Sequence, residues 1–484
     1  MTVSVNDLVP GNFILACDSY KLHHFAEYPE GTKLIYSTVV PRKASSYTDR
    51  IVSAGASLVA AVLANVRITQ EMIDEAEVEV NQYGYEFNRA DWEIITNEYD
   101  GRLPLEVFGV EEGTVVKPNT PILGIVNSDE RFFWLVSYVE TVVQRIMWKM
   151  TTVATMSRYC YKKIQAAMQE SGADMSMLEY KLHNFGDRGA DGNDSAIIAA
   201  IAHGFLFSGS DCLQANAYIK AIYRTFKPVF SSVDATEHSV MCSHSDAANK
   251  DDWGAAVMSV ERLEEAVART KRGIGIPLQS VVIDTYDDER FVGEYLCGKL
   301  RDRIIASGGV MVARPDSGNP LTKPIEIIRL IDEKVGSTKN DAGYKVLHPS
   351  FRVIQGDGIN HISIPQIIDN LLAADYSMDN LTFGMGGGMT HGPGRDEFSF
   401  SMKATARYDE ELGWVNLLKE PKTDSSKKSL SGLAHTALVN GQIETVAGNG
   451  FSVFRDTDGW KMYYCDGERE YIPTFDEVRN RART

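Results

Sequence analysis

The segment Arg314-Pro-Asp-Ser-Gly-Asn-Pro sets a guanidinium and a carboxylate two residues apart, directly after a short apolar run. Such a pair suits a phosphorylated sugar, because the guanidinium forks onto phosphate oxygens while the Asp316 carboxylate accepts from ribose hydroxyls. An ordinary salt-bridged loop is the alternative. Gly356-Asp357-Gly358 repeats the logic, although Asp-Gly is also a common turn. The run Gly386-Gly387-Gly388, with Arg395 after it, can present successive N–H groups as an anion-binding nest, or form a plain bulge. Asn184-Phe185-Gly186-Asp187-Arg188-Gly189 joins an aromatic ring to an arginine. Asp211 follows Ser208-Gly209-Ser210 and reads as a site residue or as the cap of a helix starting near Cys212. Glu237-His238 offers an imidazole beside a carboxylate, although a lone histidine is usually only a satisfied polar group. His238, Cys242 and His244 match no zinc-binding spacing.

These residues stand at the ends of apolar runs, and the runs alternate with amphipathic stretches. Ser280-Val-Val-Ile leads into Asp284 and a helix predicted near Arg290–Ile305. Val310-Met-Val-Ala leads into Arg314 and a helix near Ile325–Val335. Phe351-Arg-Val-Ile-Gln leads into Gly356 and a helix near Pro365–Ala374, and Leu381-Thr-Phe leads into the glycine run. Continuous apolar strands alternating with helices predict a buried parallel sheet, with its polar loops at the strand C-terminal ends. A β/α barrel and an open doubly wound sheet both put ligands there, and the pattern alone does not separate them. Upstream, about Asp129 to Glu170 reads as one long helix ended by Gly172. Beyond about Tyr408 the rhythm breaks: Lys419–Lys428 reads as a loop, and Gly450–Ile472 as short antiparallel strands. Boundaries near 178 and 390 divide the chain into 1–177, 178–390 and 391–484.

A chain of 484 residues is too long for one ordinary core. Its net charge of -17 disfavours nucleic acid and anionic membranes as partners, so any phosphate site must be locally basic or rich in N–H groups. Six scattered cysteines without a C-x-x-C pair predict a reduced, cytoplasmic protein. The N-terminus lacks the basic start and apolar run of a signal peptide, and the most apolar stretch, Ala196–Phe207, is too short to span a bilayer.

Taken together, Asp18-Ser-Tyr-Lys-Leu-His-His, Leu178-Glu-Tyr-Lys-Leu-His-Asn-Phe-Gly, Glu237-His-Ser, Asp284-Thr-Tyr-Asp, the Arg314 and Arg352-Val-Ile-Gln-Gly-Asp-Gly segments, Phe383-Gly-Met-Gly-Gly-Gly and Arg395-Asp resemble the nicotinamide phosphoribosyltransferase family of type II phosphoribosyltransferases. They run in that family's order from near residue 13 to about 440. The type I phosphoribosyltransferases are a poorer match, because Thr285 stands after Asp284 where their motif needs a second acid. The resemblance implies a β/α-barrel-like central domain, a second sheet domain built from both terminal segments, and a homodimer with shared active sites. It implies phosphoribosyl transfer from phosphoribosyl pyrophosphate to nicotinamide in NAD biosynthesis, with Mg²⁺ and with ATP as a coupling co-substrate. Phe185 matches one half of an aromatic sandwich around the pyridine ring, and Tyr20 matches the half supplied by the partner subunit. Asp211 matches the acceptor of the carboxamide. Arg314, Asp316, Gly356, Asp357, Gly387 and Arg395 match positions around the ribose and phosphate, Arg188, His238 and Arg314 positions around the diphosphate, and Asp284 and Gly386 further substrate-binding positions. Arg42, Lys403, Lys419 and Lys427 match basic residues that surround the phosphates, some from across the dimer. His238 also matches a histidine phosphorylated by ATP, with Glu237 placed to orient it. Asp187 departs from the family, standing where an aromatic is usual. The loop Met389-Thr-His-Gly-Pro-Gly is unusually rich in glycine and proline.

The chemistry implied is displacement of pyrophosphate from ribose C1 through an oxocarbenium-like sugar. It asks for orientation more than for a strong nucleophile, with His238, Arg314, Asp316 and Asp357 as its central residues. The rival readings are nicotinate as substrate, which Asp211 would repel, and a non-catalytic nucleotide-binding protein.

Overall fold

The computed structural model describes residues 5–423, 428–448, 454 and 457–484. Three strands near the N-terminus, β1 (Thr32–Val40), β2 (Leu105–Val110) and β3 (Leu123–Asn127), pair antiparallel, with every residue of β2 and β3 buried. The long helix α1 (Glu140–Glu170) follows. It starts later than its periodicity predicts. The Asp129 carboxylate accepts from the Arg131 N–H at 2.9 Å and fixes a 3-10 turn, and a separate short helix, Leu135–Tyr138, intervenes. Gly172 ends α1 as expected, at φ +60, where a side chain would be strained. The helix buries Val143, Met147, Met150, Ala154, Ile164 and Met168, which recur at helical spacing. Each such side chain contributes about 1.5–3 kcal/mol by leaving water.

The parallel strands follow, the last four of them where the apolar runs predict them and the first three unforeseen. They are β4 (Leu182–Asn184), β5 (Gly209–Ser210), β6 (Asp234–Ala235), β7 (Leu278–Val282), β8 (Val310–Arg314), β9 (Phe351–Gln355) and β10 (Leu381–Met385). Their order in the sheet is β5-β4-β10-β9-β8-β7-β6, all parallel. The two edges meet. Ser231 bridges Gly209 in parallel while Asp234 pairs with Gln279, so one extended segment joins β5 to β7. The ring is a β/α barrel rather than an open sheet. The crossover helices include α2 (Asn193–Gly204), α3 (His238–Ser243), α4 (Trp253–Thr270), α5 (Lys323–Val335) and α6 (Ser363–Ala373). The helix predicted near Arg290–Ile305 is wound differently: Phe291–Lys299 is a π-helix, and Leu300 N–H donates to Tyr295 O, five residues back.

After the short helix α7 (Gly387–Thr390) the chain returns to the first sheet. Strands β11 (Ser401–Asp409) and β12 (Gly413–Asn416) extend it beside β1, and β13 (Trp460–Cys465) and β14 (Glu468–Arg469) beside β2, giving the order β12-β11-β1-β3-β2-β13-β14. The antiparallel tail foreseen from Gly450 is present from Trp460 to Arg469, and 450–453 lie outside the described residues. The last helix, α8 (Phe475–Arg483), opens on a Thr474/Glu477 capping box and ties the two sheets together. Arg479 Nε donates to Gly204 O at 2.7 Å on the barrel side, and Arg481 Nε donates to Glu112 O at 2.7 Å beside the antiparallel sheet. Among the described residues, no single helix is long and apolar enough to cross a membrane.

Candidate active site

A cavity of about 720 Å³ opens at the C-terminal ends of the barrel strands, the face where barrel active sites are built. Phe185, Arg188, Asp211, Arg314, Asp316, Gly356, Gly386 and Gly387, eight of the positions expected from sequence, line it together with Asp187. Each is held by a local reason. Phe185 follows β4, and its N–H donates to Met385 O at 2.8 Å. Its ring lies over the end of β10, where a Cβ on Gly384 would overlap the ring carbons Cε2 and Cδ2, so glycine there is a steric requirement. Gly356, at the end of β9, has its Cβ direction 3.6 Å from the same ring.

Arg314 ends β8 and is pinned at 2.7 Å to the Thr236 carbonyl, while its Nε is buried without a partner among the described residues. Burial lowers its pKa from the usual arginine value, and Asp316, Asp211 and Asp284 partly restore it. Asp211 does not cap a helix: the helix after it starts at Ala215, and the Asp211 carboxylate instead accepts from the Ser232 hydroxyl at 2.6 Å. Its backbone N–H donates to Asn184 O at 3.0 Å, which holds it beside Phe185.

His238 opens α3 and is 44% exposed. Its Nε2 lies 3.1 Å from Asp284 Oδ1 and its Nδ1 lies 3.7 Å from Asp316 Oδ2. Asp284, 8% exposed, also accepts from the Asp316 N–H at 3.1 Å and from the Ser317 hydroxyl. Orientation of the imidazole therefore comes from Asp284 and not from Glu237, whose carboxylate is occupied by the Ser239 hydroxyl. In the neutral tautomer that donates its Nε2–H to Asp284, Nδ1 keeps its lone pair.

The glycine run forms the N-terminal end of a short helix, where backbone N–H groups have no partner within the helix. Gly386 precedes α7, Met389 N–H donates back to Gly386 O at 2.9 Å, and His391 and Gly392 N–H groups close on Gly387 O. Asp357 is exposed and does not line the cavity; its carbonyl accepts from Gln355 Nε2 at 2.9 Å.

Other expected residues lie elsewhere. Tyr20 sits on the 3-10 turn Ser19–His23, 59% exposed, and is not in the cavity of its own chain. Arg395 is exposed and pairs with Asp396 at 3.2 Å. Arg42, whose Nε donates to Ser399 O at 2.9 Å, and Lys403 border a separate cleft beside β1 and β11. Lys419 follows β12, close enough to Lys403 to perturb its charge. Lys427 lies outside the described residues. Sequence reasoning missed the groups that orient this set, Ser232 and Thr236. Both sit on the segment that closes the barrel, too short and polar to read as a strand.

A second cavity, about 640 Å³, fills the barrel itself and meets the first around Phe185, Asp211 and Arg314.

A model of the nicotinate phosphoribosyltransferase (NAPRTase) family matches residues 180–450, and one of the nicotinamide phosphoribosyltransferase N-terminal domain matches residues 12–107. A nicotinamide phosphoribosyltransferase of Xanthomonas campestris pv. campestris is 36% identical over 426 residues, covering 87% of this chain and 86% of that protein. One of Acinetobacter baylyi is 31% identical over 473 residues, covering 87% of each. In structure the chain is similar to nicotinate-nucleotide pyrophosphorylase from Pyrococcus furiosus, with a TM-score of 0.58 and 14% identity over 97% of this chain and 95% of that one. It is also similar to human nicotinic acid phosphoribosyltransferase, with a TM-score of 0.53 and 14% identity over 96% and 92%. At that identity the likeness shows the fold, whereas the sequence matches show descent: the chain belongs to the nicotinate phosphoribosyltransferase family and carries that family's nicotinamide-type N-terminal domain.

Proposed function

We propose that this chain transfers the phosphoribosyl group of phosphoribosyl pyrophosphate to nicotinamide, releasing pyrophosphate and forming nicotinamide mononucleotide. The observation that carries the choice of base is Asp211, a carboxylate fixed by Ser232 next to the Phe185 ring. A carboxamide N–H pairs with it, while a nicotinate carboxylate would face it as a like charge. Curated relatives named nicotinamide phosphoribosyltransferase support the same reading.

Phe185 stacks on the pyridine. Asp316 accepts from ribose hydroxyls and favours positive charge developing at C1, and Arg188 and Arg314 hold the departing diphosphate. The pyridine nitrogen is itself the nucleophile, so no general base is needed. Asp284 is taken up by His238, Ser317 and the Asp316 N–H, whereas the Asp316 carboxylate faces the cavity. One protein carboxylate suits Mg²⁺, which keeps most of its shell from water and phosphate oxygens. When bound, the ion would neutralise charge on the leaving diphosphate.

ATP coupling belongs to the same reading. Asp284 holds Nε2 of His238 and leaves Nδ1 as phosphoryl acceptor, with Arg188 and Arg314 to offset the added charge in the cavity that the neighbouring Glu237 and Asp316 also line. Exposed Tyr20 and the cations around Lys403 act in the site of a second copy, so the working form is a homodimer, located in the cytoplasm. The functional division of the chain near 178 and 390 follows the two sheets. Parallel product assays with nicotinamide and nicotinate test the proposal. Exclusive or strong preference for nicotinamide is expected, and equal use of nicotinate would overturn it.

A further inference from the structure

The cavity is walled on one side by two loops that touch backbone to backbone. A Cβ on Gly186 would lie 2.6 Å from Thr390 Cγ2 and 2.8 Å from Gly386 O, and one on Gly189 would lie 3.4 Å from Gly387 Cα. Neither loop is covalently near the other, so something must set their spacing. Thr390, fully buried, donates its hydroxyl to Gly186 O at 2.9 Å. Its own carbonyl, at the end of α7 where no helical N–H reaches it, accepts from the ammonium of Lys149. Lys149 rises from the middle of α1 and is only 3% exposed. A buried ammonium is unfavourable, and its burial lowers the pKa of Lys149, with Asp191 opposing that shift. An apolar side chain would fill this place in α1 without that penalty but could not reach the carbonyl. His391 Nδ1 meets Asp191 Oδ1 at 2.8 Å, a second strut between the same two loops.

We propose that Lys149, through Thr390, is a positioning residue: it braces the Phe185–Gly189 loop against the Gly386–Gly392 loop and so sets the spacing of the groups that receive the phosphates. The proposal rests on the transferase reading for its kinetic consequence, but the brace itself is a property of the fold. Phe185 is held independently by Met385 O and by its seat over Gly384, so loosening the brace displaces the phosphate side more than the base side.

The full-length Lys149→Met protein tests this by hydrogen–deuterium exchange and by steady-state kinetics beside the wild type. Exchange in peptides covering 186–192 and 386–392 should quicken about tenfold while the rest of the barrel is unchanged, as expected for loss of one charge-assisted hydrogen bond. The KM for phosphoribosyl pyrophosphate should rise about tenfold, with the KM for nicotinamide and kcat changing less than about threefold. Lys149→Arg, which can still reach the carbonyl, should restore most of both. Thr390→Val, which deletes only the hydroxyl donor, should shift both readouts in the same direction by a smaller factor, and it serves if Lys149→Met does not fold. Unchanged exchange in both loops, or a fall in kcat with thermal stability and no change in the ratio of the two KM values, overturns the brace. A wild type that makes no product overturns the transferase reading, and the exchange comparison still judges the brace.

Discussion

The cavity at the barrel mouth and the cationic cleft beside β1 and β11 handle charge in opposite ways. At the mouth, charged groups are held by partners in their own chain: His238 by Asp284, Arg314 by the Thr236 carbonyl, Asp211 by Ser232. In the cleft, Arg42, Lys403 and Lys419 crowd together on a chain whose net charge is -17, and Lys403 finds Glu140 only at 3.9 Å. Burial first, then Lys21, Lys419 and Arg42, lower the Lys403 pKa, with Glu140 acting against them. Like charges brought together in a fold gain from an anion placed among them. The first region is preorganised within one chain, and the second is complete only with something added. On the reading proposed above, that is the phosphate end of a substrate held mainly by another copy.

The largest expected effect separates the regions by subunit. Phe185→Ala and Tyr20→Ala should each lower turnover by about a hundredfold or more through loss of ring stacking and orientation. Mixing the two with subunit exchange should recover part of the activity, because one hybrid site keeps both rings. No recovery despite proven exchange would mean that the barrel mouth works alone.

Next is His238→Ala. ATP hydrolysis and ATP stimulation should vanish while slow nucleotide formation persists, since the transfer needs no base. ATP hydrolysis at the wild-type rate would remove His238 from the coupling. Asp211→Asn should cost about 1–3 kcal/mol in nicotinamide binding and relax the preference over nicotinate, read from the two kcat/KM values. An unchanged preference would shift base recognition elsewhere in the pocket.

The smallest effect belongs to the cleft. Lys403→Gln should raise the KM for phosphoribosyl pyrophosphate only about threefold, and more weakly at high salt, because the cluster shares the charge. Its pH dependence has a definite sign. The lowered pKa means that Lys403 loses its proton, and with it anion affinity, as pH rises through a value below the ordinary lysine range. The wild-type KM should therefore rise earlier on the alkaline side than that of Lys403→Gln. Identical profiles would detach Lys403 from phosphate binding.

Much of the barrel was readable because its strands are buried on both faces, and burial writes itself into local composition. Val281, Val312, Val353 and Phe383 all fall in short apolar runs, and Arg314, Gly356 and Gly386 stand where those runs stop. The fine winding was not readable: nothing in the composition of Phe291–Lys299 distinguishes π from α, since both bury one stripe. Nor was the choice of Asp284 over Glu237 as the partner of His238. Adjacency in sequence favoured Glu237, but at the head of α3 that side chain turns to Ser239 while Asp284 reaches across from the next strand.

The sequence by itself thus determined the alternation of strand and helix, the membership of the family, and the identity of eight residues that line one cavity. Those are matters of residue type and local period. Tertiary structure alone decided that the sheet closes through the polar segment around Ser231 and that Lys149 stands under Thr390. It also decided that Tyr20 faces outward, away from the Phe185 of its own chain. The closure and the Lys149 contact each join positions separated by at least twenty residues. Such contacts are set by which buried faces must meet once the barrel forms, and no short window of sequence carries that information.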